Sequence, residues 1–384
     1  MPAVAVPVGT LRARIREYIA ANPGALASTV YHSVLGGTVP LRAVLRDMIL
    51  DGELVSEQTR GRGGGERVRL AVEVSQVPEE SGDIDLDELR ARRKAEFARV
   101  QAADEAGRLI PVKVNVPGPI AIWHCGDPHL DDPGTDLATL ERHCEIVART
   151  PGMFAGSVGD VTNNWIGRLA RLHAEQSTTA REAWALAEWF VGAVPWLYMV
   201  AGNHDAWSGA GDPLRWITRQ AGALYRETNA RLELRGTGWS EAVRVNVRHD
   251  FAGHSQWNPA HGVGKAAQLG VRDHILVCGH KHVSGYMPIK DPETGLITHA
   301  VQVASYKRFD RYAREKGFRD QAISPCAVTV IDPQASPASR VQVFWEPEPA
   351  SEYLVWLRRR RGCGGKKSTS RKIVVAGRGQ MGDR

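Results

Sequence analysis

The chain has 384 residues, a net charge of +6, and apolar and charged fractions of 43% and 24%, which are those of a globular protein. No apolar run reaches the ~18 residues of a membrane span, and the first residues lack the pattern of a secretory signal. We therefore expect a cytoplasmic protein without membrane association. Five cysteines with no C-x-x-C pair favour reduced thiols over a disulfide framework.

The first predicted unit covers residues 8–72. Apolar residues at helical spacing predict one helix that stops at Asn22-Pro23-Gly24, a short second helix from Ala25, and a third after Gly36-Gly37. Two strand-like segments follow on either side of a glycine-rich tip. This order of elements resembles a winged helix-turn-helix domain.

In a winged helix the third helix and the hairpin would present arginines to phosphate groups, namely Arg42, Arg46, Arg60 and Arg62. The alternative is a protein-docking module, because winged helices also serve as assembly units. The net charge from residue 11 to residue 70 is only +3, which does not separate the two interpretations.

Residues 73–109 are predicted to connect this unit to a larger domain. The polar, acidic segment to residue 84 reads as a linker, and the charged run from Asp85 to about Leu109 predicts a connector helix with a narrow apolar face. The larger domain follows over residues 110–350.

Four apolar, strand-like segments in this domain each end in polar residues that can bind metals. The carboxyl ends of buried strands are where open α/β sheets place ligands, and Asp, Asn and His together are typical of hydrolytic metal sites. The residues delivered by the four strand ends are Asp127 and His129, Asp160 and Asn163, Asn203, His204 and Asp205, and His280 and His282.

In order and spacing these motifs resemble the calcineurin-like metallophosphoesterases. The resemblance covers about residues 118–305. It implies an α/β fold, a metallophosphoesterase-like two-sheet α/β/β/α sandwich, here preceded by the small winged-helix domain.

The resemblance also implies a pair of divalent metal ions. Asp127, His129, Asp160 and His282 would hold one ion, and Asp160, Asn203, His280 and a further histidine would hold the other. We choose His249 as that further histidine because Val243, Val245 and Val247 alternate and deliver it at a strand end, with His254 as the alternative. Manganese is the first expectation, with magnesium, iron, zinc or nickel as alternatives.

The implied chemistry is hydrolysis of a phosphoester by a metal-activated hydroxide. His204 would act as general acid, with Asp205 orienting it. Further contacts to substrate are expected from Asn163 and His254, and from Trp207 and Trp257 by stacking on bases.

Residues 351–384 are predicted to form a basic, disordered tail, since residues 358–384 carry a net charge of +9. Together the features favour a metal-dependent phosphodiesterase or nuclease that acts on DNA. A first alternative is a phosphomonoesterase or small-nucleotide phosphodiesterase whose winged helix docks to protein. A second is a non-catalytic DNA-binding regulator. The sequence assigns neither a protein partner nor an oligomeric state.

Overall fold

The computed structural model describes residues 8–34, 38–61, 64–71, 84–164, 176–205, 212–309, 324–363 and 373–375. The chain forms two compact units, Met1–Ala95 and Glu96–Arg384. Within the described ranges, no helix combines the length and the apolar character needed to cross a membrane.

In the first unit, the described residues up to 71 form three helices and a three-stranded sheet of order β1-β3-β2. Apolar residues at helical spacing, such as Ile15, Leu41 and Leu45, are buried in one core with strand residues Leu54 and Val68. The three helices and the two-stranded hairpin follow the expected order, but Ala25 and Leu26, predicted to begin the second helix, form a strand paired with β3. The winged-helix assignment and its nucleic-acid contacts stay predictions. The elements are α1 (Val8–Ala21), β1 (Ala25–Leu26), α2 (Ala27–Ser33), α3 (Thr38–Leu50), β2 (Leu54–Thr59) and β3 (Gly65–Leu70).

Helix α4 (Leu86–Gly107) spans the division between the units. The strands of the second unit are β4 (Ile110–Val114), β5 (Ile120–Cys125), β6 (Met153–Ser157), β7 (Trp196–Val200), β8 (Leu224–Arg226), β9 (Asn229–Gly236), β10 (Val243–Arg248), β11 (Ile275–Cys278), β12 (Gly285–Lys290), β13 (Ile297–Gln302), β14 (Cys326–Ile331), β15 (Val341–Phe344) and β16 (Ile373–Val375). Its remaining α-helices are α5 (Leu137–Arg149), α6 (Ala180–Ala193), α7 (Leu214–Gln220), α8 (His261–Leu269) and α9 (Pro347–Arg360), and Pro337–Ser339 forms a 3₁₀ turn.

The strands of the second unit form two mixed sheets, of orders β12-β13-β11-β10-β9-β4-β16 and β15-β14-β5-β6-β7-β8. Alternating residues of β9 and β10 fill the core between the sheets together with part of β5 and β7, such as Ile122 and Leu197, while Trp123 and Met199 of the same two strands face the helices. Helices α5, α6 and α9 pack on the outer face of the six-stranded sheet. Helix α8 packs on the other sheet. The predicted mixed α/β architecture with two sheets is confirmed.

The first part of the predicted tail, residues 351–384, is folded. Residues 351–360 belong to helix α9, whose Leu354 and Leu357 are buried against the six-stranded sheet. Residues 373–375 pair with β4.

Strand direction determines where the motif residues meet. Strands β5, β6 and β7 are parallel neighbours in one sheet, and β10 and β11 are parallel neighbours in the other. Parallel neighbours end at the same edge of a sheet, so each sheet brings its own polar strand ends together. The two sheets pack face to face, and the two sets of strand ends meet.

Candidate metal centre

A first cluster contains Asp127, His129 and His282, whose ligand atoms all lie within 4.8 Å of one another. The Nε2 atoms of the two histidines are 3.2 Å apart, and His282 Nε2 lies 3.4 Å from Asp127 Oδ2. The other Asp127 oxygen, Oδ1, is buried and has no hydrogen-bond partner in the structure. An ionised carboxylate oxygen buried in this way is costly unless a cation neutralises it.

A second cluster contains Asp160, His249 and His280. His249 Nε2 is its centre, with His280 Nδ1 at 3.0 Å, Asp160 Oδ2 at 3.2 Å and Asn203 Oδ1 at 2.9 Å. His249 Nδ1 donates to the carbonyl oxygen of Val158 at 2.8 Å, which leaves Nε2 as the atom directed at the cluster.

Asp160 lies between the two clusters. Its Oδ2 is 3.2 Å from His249 Nε2 in the second cluster and 3.9 Å from His129 Nε2 in the first. One carboxylate therefore faces ligand-type nitrogens on both sides. This is the position that a group shared by two cations would occupy.

The spacing of these atoms fits divalent cations. Nitrogen and oxygen ligands lie about 2.1 Å from such ions, so two ligands at a right angle are about 3 Å apart. The separations of 2.9–3.4 Å between neighbouring ligand atoms match that value. The Asp/His clusters could each hold a metal ion, and their carboxylate, amide and imidazole donors are those that transition-metal hydrolases use.

Backbone strain coincides with the candidate ligands. His129, Asp160, His280 and His282 have φ angles between +41° and +70°, a left-handed region that non-glycine residues rarely adopt. Among the described residues other than glycine, only Asn164 also has a positive φ angle, of +35°. Strain of this kind persists where the surrounding structure enforces it, which is typical of functional sites.

The two carboxylates make the centre attractive to positive charge. Burial lowers the pKa of His249, but the Asp160 and Asp127 carboxylates and the hydrogen bond to Val158 together outweigh burial and raise the pKa to about 10. Burial likewise raises the pKa of Asp160, whereas His249 lowers it to a net value well below the usual range. The field that holds a proton on His249 would equally favour a cation at the same place.

His204 lies beside the clusters, and its ring packs edge-on to His129 with centroids 5.2 Å apart. Its backbone N–H donates to Asp160 Oδ1 at 2.9 Å, and its ring Nδ1 is hydrogen-bonded to the carbonyl oxygen of Asn163. The predicted role of Asp205 in orienting His204 stays a prediction, and the contacts shown for Asp205 are to backbone groups. The Asp205 carboxylate accepts the backbone N–H groups of Asp160, Val161 and Gly202, at 2.8, 2.9 and 2.7 Å, and so fixes the loop that carries Asp160.

The predicted substrate contact of Asn163 stays a prediction. Its side chain is fully buried, with Nδ2 donating to Asp132 Oδ2 at 2.9 Å and Oδ1 without a hydrogen-bond partner. Its place in the motif, four residues after Gly159, correctly indicated that Asn163 lies near the site. It did not indicate the contact with Asp132.

The remaining predicted site residues do not all lie at the two clusters. His249 lies in a cluster, whereas its alternative His254 is exposed on the loop after it. Trp257 is 94% exposed. Trp207 and Arg62 lie outside the described residues. Arg42, Arg46 and Arg60 are exposed on the first unit.

Several supporting residues were missed from the sequence. Lys281 Nζ binds Asp250 Oδ1 at 2.9 Å and the carbonyl oxygen of Gly253 at 2.7 Å, so it ties the loop after His249 to the loop of His280 and His282. Its place between two motif histidines was a usable signal. Asp131 and Asp132 directly follow the first motif, whereas Lys307, which binds Asp132, carried no local signal.

No protein-family model matches the chain, and no curated protein matches it. Among solved structures, the crystal structure of Chaetomium thermophilum Vps29 aligns at 12% sequence identity over 59% of this chain and 91% of that chain, with a TM-score of 0.29. A likeness at that TM-score supports no functional assignment. Function therefore has to follow from the geometry of the chain's own residues.

Proposed function

We propose that this chain is a metal-dependent phosphoester hydrolase that holds two divalent cations. The observation that carries the proposal is the pair of Asp/His clusters joined by Asp160 at one meeting point of two sheets. Asp127, His129 and His282 would hold one ion, Asn203, His249 and His280 the other, and Asp160 both. Two such ions, when bound, supply Lewis acidity to a phosphoryl group and acidify a water molecule.

The protein's own residues would organise the reaction around these ions. Asp205 holds the Asp160 loop through three backbone N–H groups, so the shared carboxylate is fixed before any ion binds. His204 lies beside His129 and is not itself part of either cluster; with its ring protonated on both nitrogens, it would donate the Nε2 proton to the leaving oxygen. In this proposal, different residues bind the ions and transfer the proton.

We further propose that the substrate is a phosphodiester in DNA. Arg42 and Arg46 are exposed on α3, and Arg60 is exposed at the end of β2, where each could contact phosphate. The Arg42 guanidinium lies 5.4 Å from the ring centroid of Tyr31, which restricts its position. These arginines support nucleic acid as the substrate, and a panel of substrates separates this from the small-molecule alternatives.

The test is a panel of bis-p-nitrophenyl phosphate, p-nitrophenyl phosphate, cyclic nucleotides and single- and double-stranded DNA, each with Mn²⁺, Mg²⁺ or Zn²⁺. Hydrolysis of the diester and of DNA, dependent on added metal, is the expected result. Preference for p-nitrophenyl phosphate would replace the diesterase by a monoesterase. Two bound ions without hydrolysis of any substrate would overturn the enzymatic proposal.

A further inference from the structure

The orientation of His204 is set by a backbone carbonyl group. His204 Nδ1 is hydrogen-bonded to the carbonyl oxygen of Asn163, which can only accept. Nδ1 therefore carries the hydrogen, and in the neutral ring Nε2 is the acceptor nitrogen. The position of one carbonyl oxygen thus selects both the ring orientation and the tautomer of His204.

Two buried aspartates hold the residue that supplies this carbonyl. The backbone N–H of Asn163 donates to Asp131 Oδ1 at 2.7 Å, and its side-chain Nδ2 donates to Asp132 Oδ2 at 2.9 Å. These two hydrogen bonds hold Asn163 in place through both its backbone and its side chain. Neither of these bonds involves a candidate metal ligand.

Both aspartates are themselves fixed from further away. Lys307 Nζ lies 2.9 Å from Asp132 Oδ2, and the two side chains are only 5% and 7% exposed. The backbone N–H of Gly134 donates to Asp132 Oδ1 at 2.8 Å. Gln176 Nε2 donates to Asp131 Oδ2 at 2.6 Å. Shielded from water, these charge-assisted bonds allow Asn163 little freedom.

We propose that Asp131, Asp132 and Lys307 are positioning residues that act on His204 through Asn163. The series runs from Lys307 to the Asp132 carboxylate, then to the Asn163 amide, and from the Asn163 carbonyl to His204 Nδ1. It leaves Nε2 as the nitrogen that exchanges a proton with the substrate. The kinetic consequence rests on the proposed hydrolase function, whereas the effect on the ring does not.

The variants are Asp132→Asn, which keeps the shape but cannot satisfy Gly134, Asn163 and Lys307 together, and Asn163→Ala, which removes only the side-chain anchor. Lys307→Met is a third variant in case Asp132→Asn fails to fold. Asp273→Asn is the matched control, since Asp273 is also buried and accepts two bonds from Arg231, but stands at the amino end of β11, opposite His280.

The first measurement is the tautomer of His204, read from long-range ¹H–¹⁵N spectra of protein with ¹⁵N-labelled histidine, metal-free and with Mg²⁺, and assigned with His204→Gln. The network variants are expected to change the Nδ1–H tautomer to a mixture. The second is hydrolysis of bis-p-nitrophenyl phosphate with Mn²⁺. There kcat should fall about 10²-fold, the usual effect of a misplaced catalytic group, with KM and bound metal unchanged.

An unchanged tautomer in both Asp132→Asn and Asn163→Ala would overturn the positioning role, as would an equal effect of Asp273→Asn. If the tautomer responds as expected but the unaltered protein hydrolyses no phosphoester, the positioning role stands and the proposed function fails. The two inferences are therefore tested separately.

Discussion

At the scale of single residues, Asp160 is the residue on which both proposed metal sites depend. It is 2% exposed, it has a left-handed backbone, and its carboxylate faces histidines from both clusters. Replacing it with Asn should abolish hydrolysis and lower the metal content, because a neutral amide cannot offset the repulsion of two cations. Metal analysis and the rate with bis-p-nitrophenyl phosphate check this. Activity above a few per cent of the unaltered protein would contradict the shared-ligand assignment.

Gly202 must remain a glycine for the Asp160 loop to keep its place. A Cβ atom there would overlap Asp160 Oδ1 and stand 2.5 Å from the Asp160 backbone nitrogen. Gly202→Ala should therefore displace Asp160 and weaken metal binding by at least 10-fold, within the range found when groups supporting a metal ligand are lost.

Gly192→Ala in helix α6 is the control for this change, since apart from its chain neighbours and the adjacent backbone of its own helix no described atom lies within 4 Å of the place that its new methyl group would take. Alanine is the better helix former, so this variant should keep its metal and gain slightly in stability. Titration with Mn²⁺ compares the two proteins. Equal metal affinity in both would show that the loop tolerates the added methyl group.

At the scale of elements, helix α9 is an integral part of the second unit. Leu354 is fully buried, Leu357 is 5% exposed, and Arg358 donates to the carbonyl oxygens of Pro117 and Pro119 at 3.1 and 2.5 Å. Losing two buried leucines removes roughly 3–6 kcal/mol, which is comparable to the ~5–15 kcal/mol that stabilises a domain.

A chain that ends at residue 350 should therefore unfold at a much lower temperature than one that ends at residue 363. Thermal unfolding followed by circular dichroism compares them with the full chain. The chain ending at 363 serves as the control, since it keeps α9 and lacks the segment that follows. The same melting temperature for both shortened chains would mean that α9 adds no stability.

A buried histidine in β5 makes the stability of the sheet depend on pH. His124 is fully buried between Tyr198 and Thr329, with Nδ1 2.5 Å from the tyrosine oxygen and Nε2 2.8 Å from the threonine oxygen. Burial lowers its pKa to about 3. The unfolded chain, with a pKa of ~6.5, binds the proton more readily, so stability falls as pH drops below that value.

By pH 4 this single group should cost roughly 3 kcal/mol of unfolding free energy. Urea unfolding at pH 7 and pH 4 measures the loss, and His124→Gln, which cannot titrate, should reduce it by that amount. Some dependence of stability on pH should remain in this variant, because burial also lowers the pKa of three other histidines to about 4, namely His143, His274 and His299. An identical pH dependence in both proteins would show that His124 is not the titrating group.

At the scale of the whole molecule, the proposed role of the first unit is to bind nucleic acid. If Arg42 and Arg46 contact phosphates, replacing both with Gln should weaken DNA binding and reduce the slope of log K against log salt by about 1.8, or ~0.9 for each lost contact. Hydrolysis of bis-p-nitrophenyl phosphate should not change. Arg181→Gln, an exposed arginine on α6, is the control. An unchanged slope in the double variant would favour the protein-docking interpretation.

The sequence by itself determined which residues gather at the site. Apolar strand segments that end in Asp, Asn or His are local patterns, and parallel neighbours necessarily end at one edge, so Asp127, Asp160, His249 and His280 could be identified without coordinates. The helices and strands could be predicted for the same reason, because the spacing of apolar residues and the positions of turn-forming residues are local features of the sequence.

Only the tertiary structure decided what the supporting side chains do. Asp205 binds backbone N–H groups of another loop, Asn163 is buried against Asp132, and Lys307 reaches Asp132 from far along the chain. The packing of α9 also became known only from the structure. The basic residues of this segment favoured a disordered tail and gave no sign that Leu354 and Leu357 are buried. Such contacts join residues that are distant in sequence, and each is chosen by the space that the folded sheets leave, which no local pattern records.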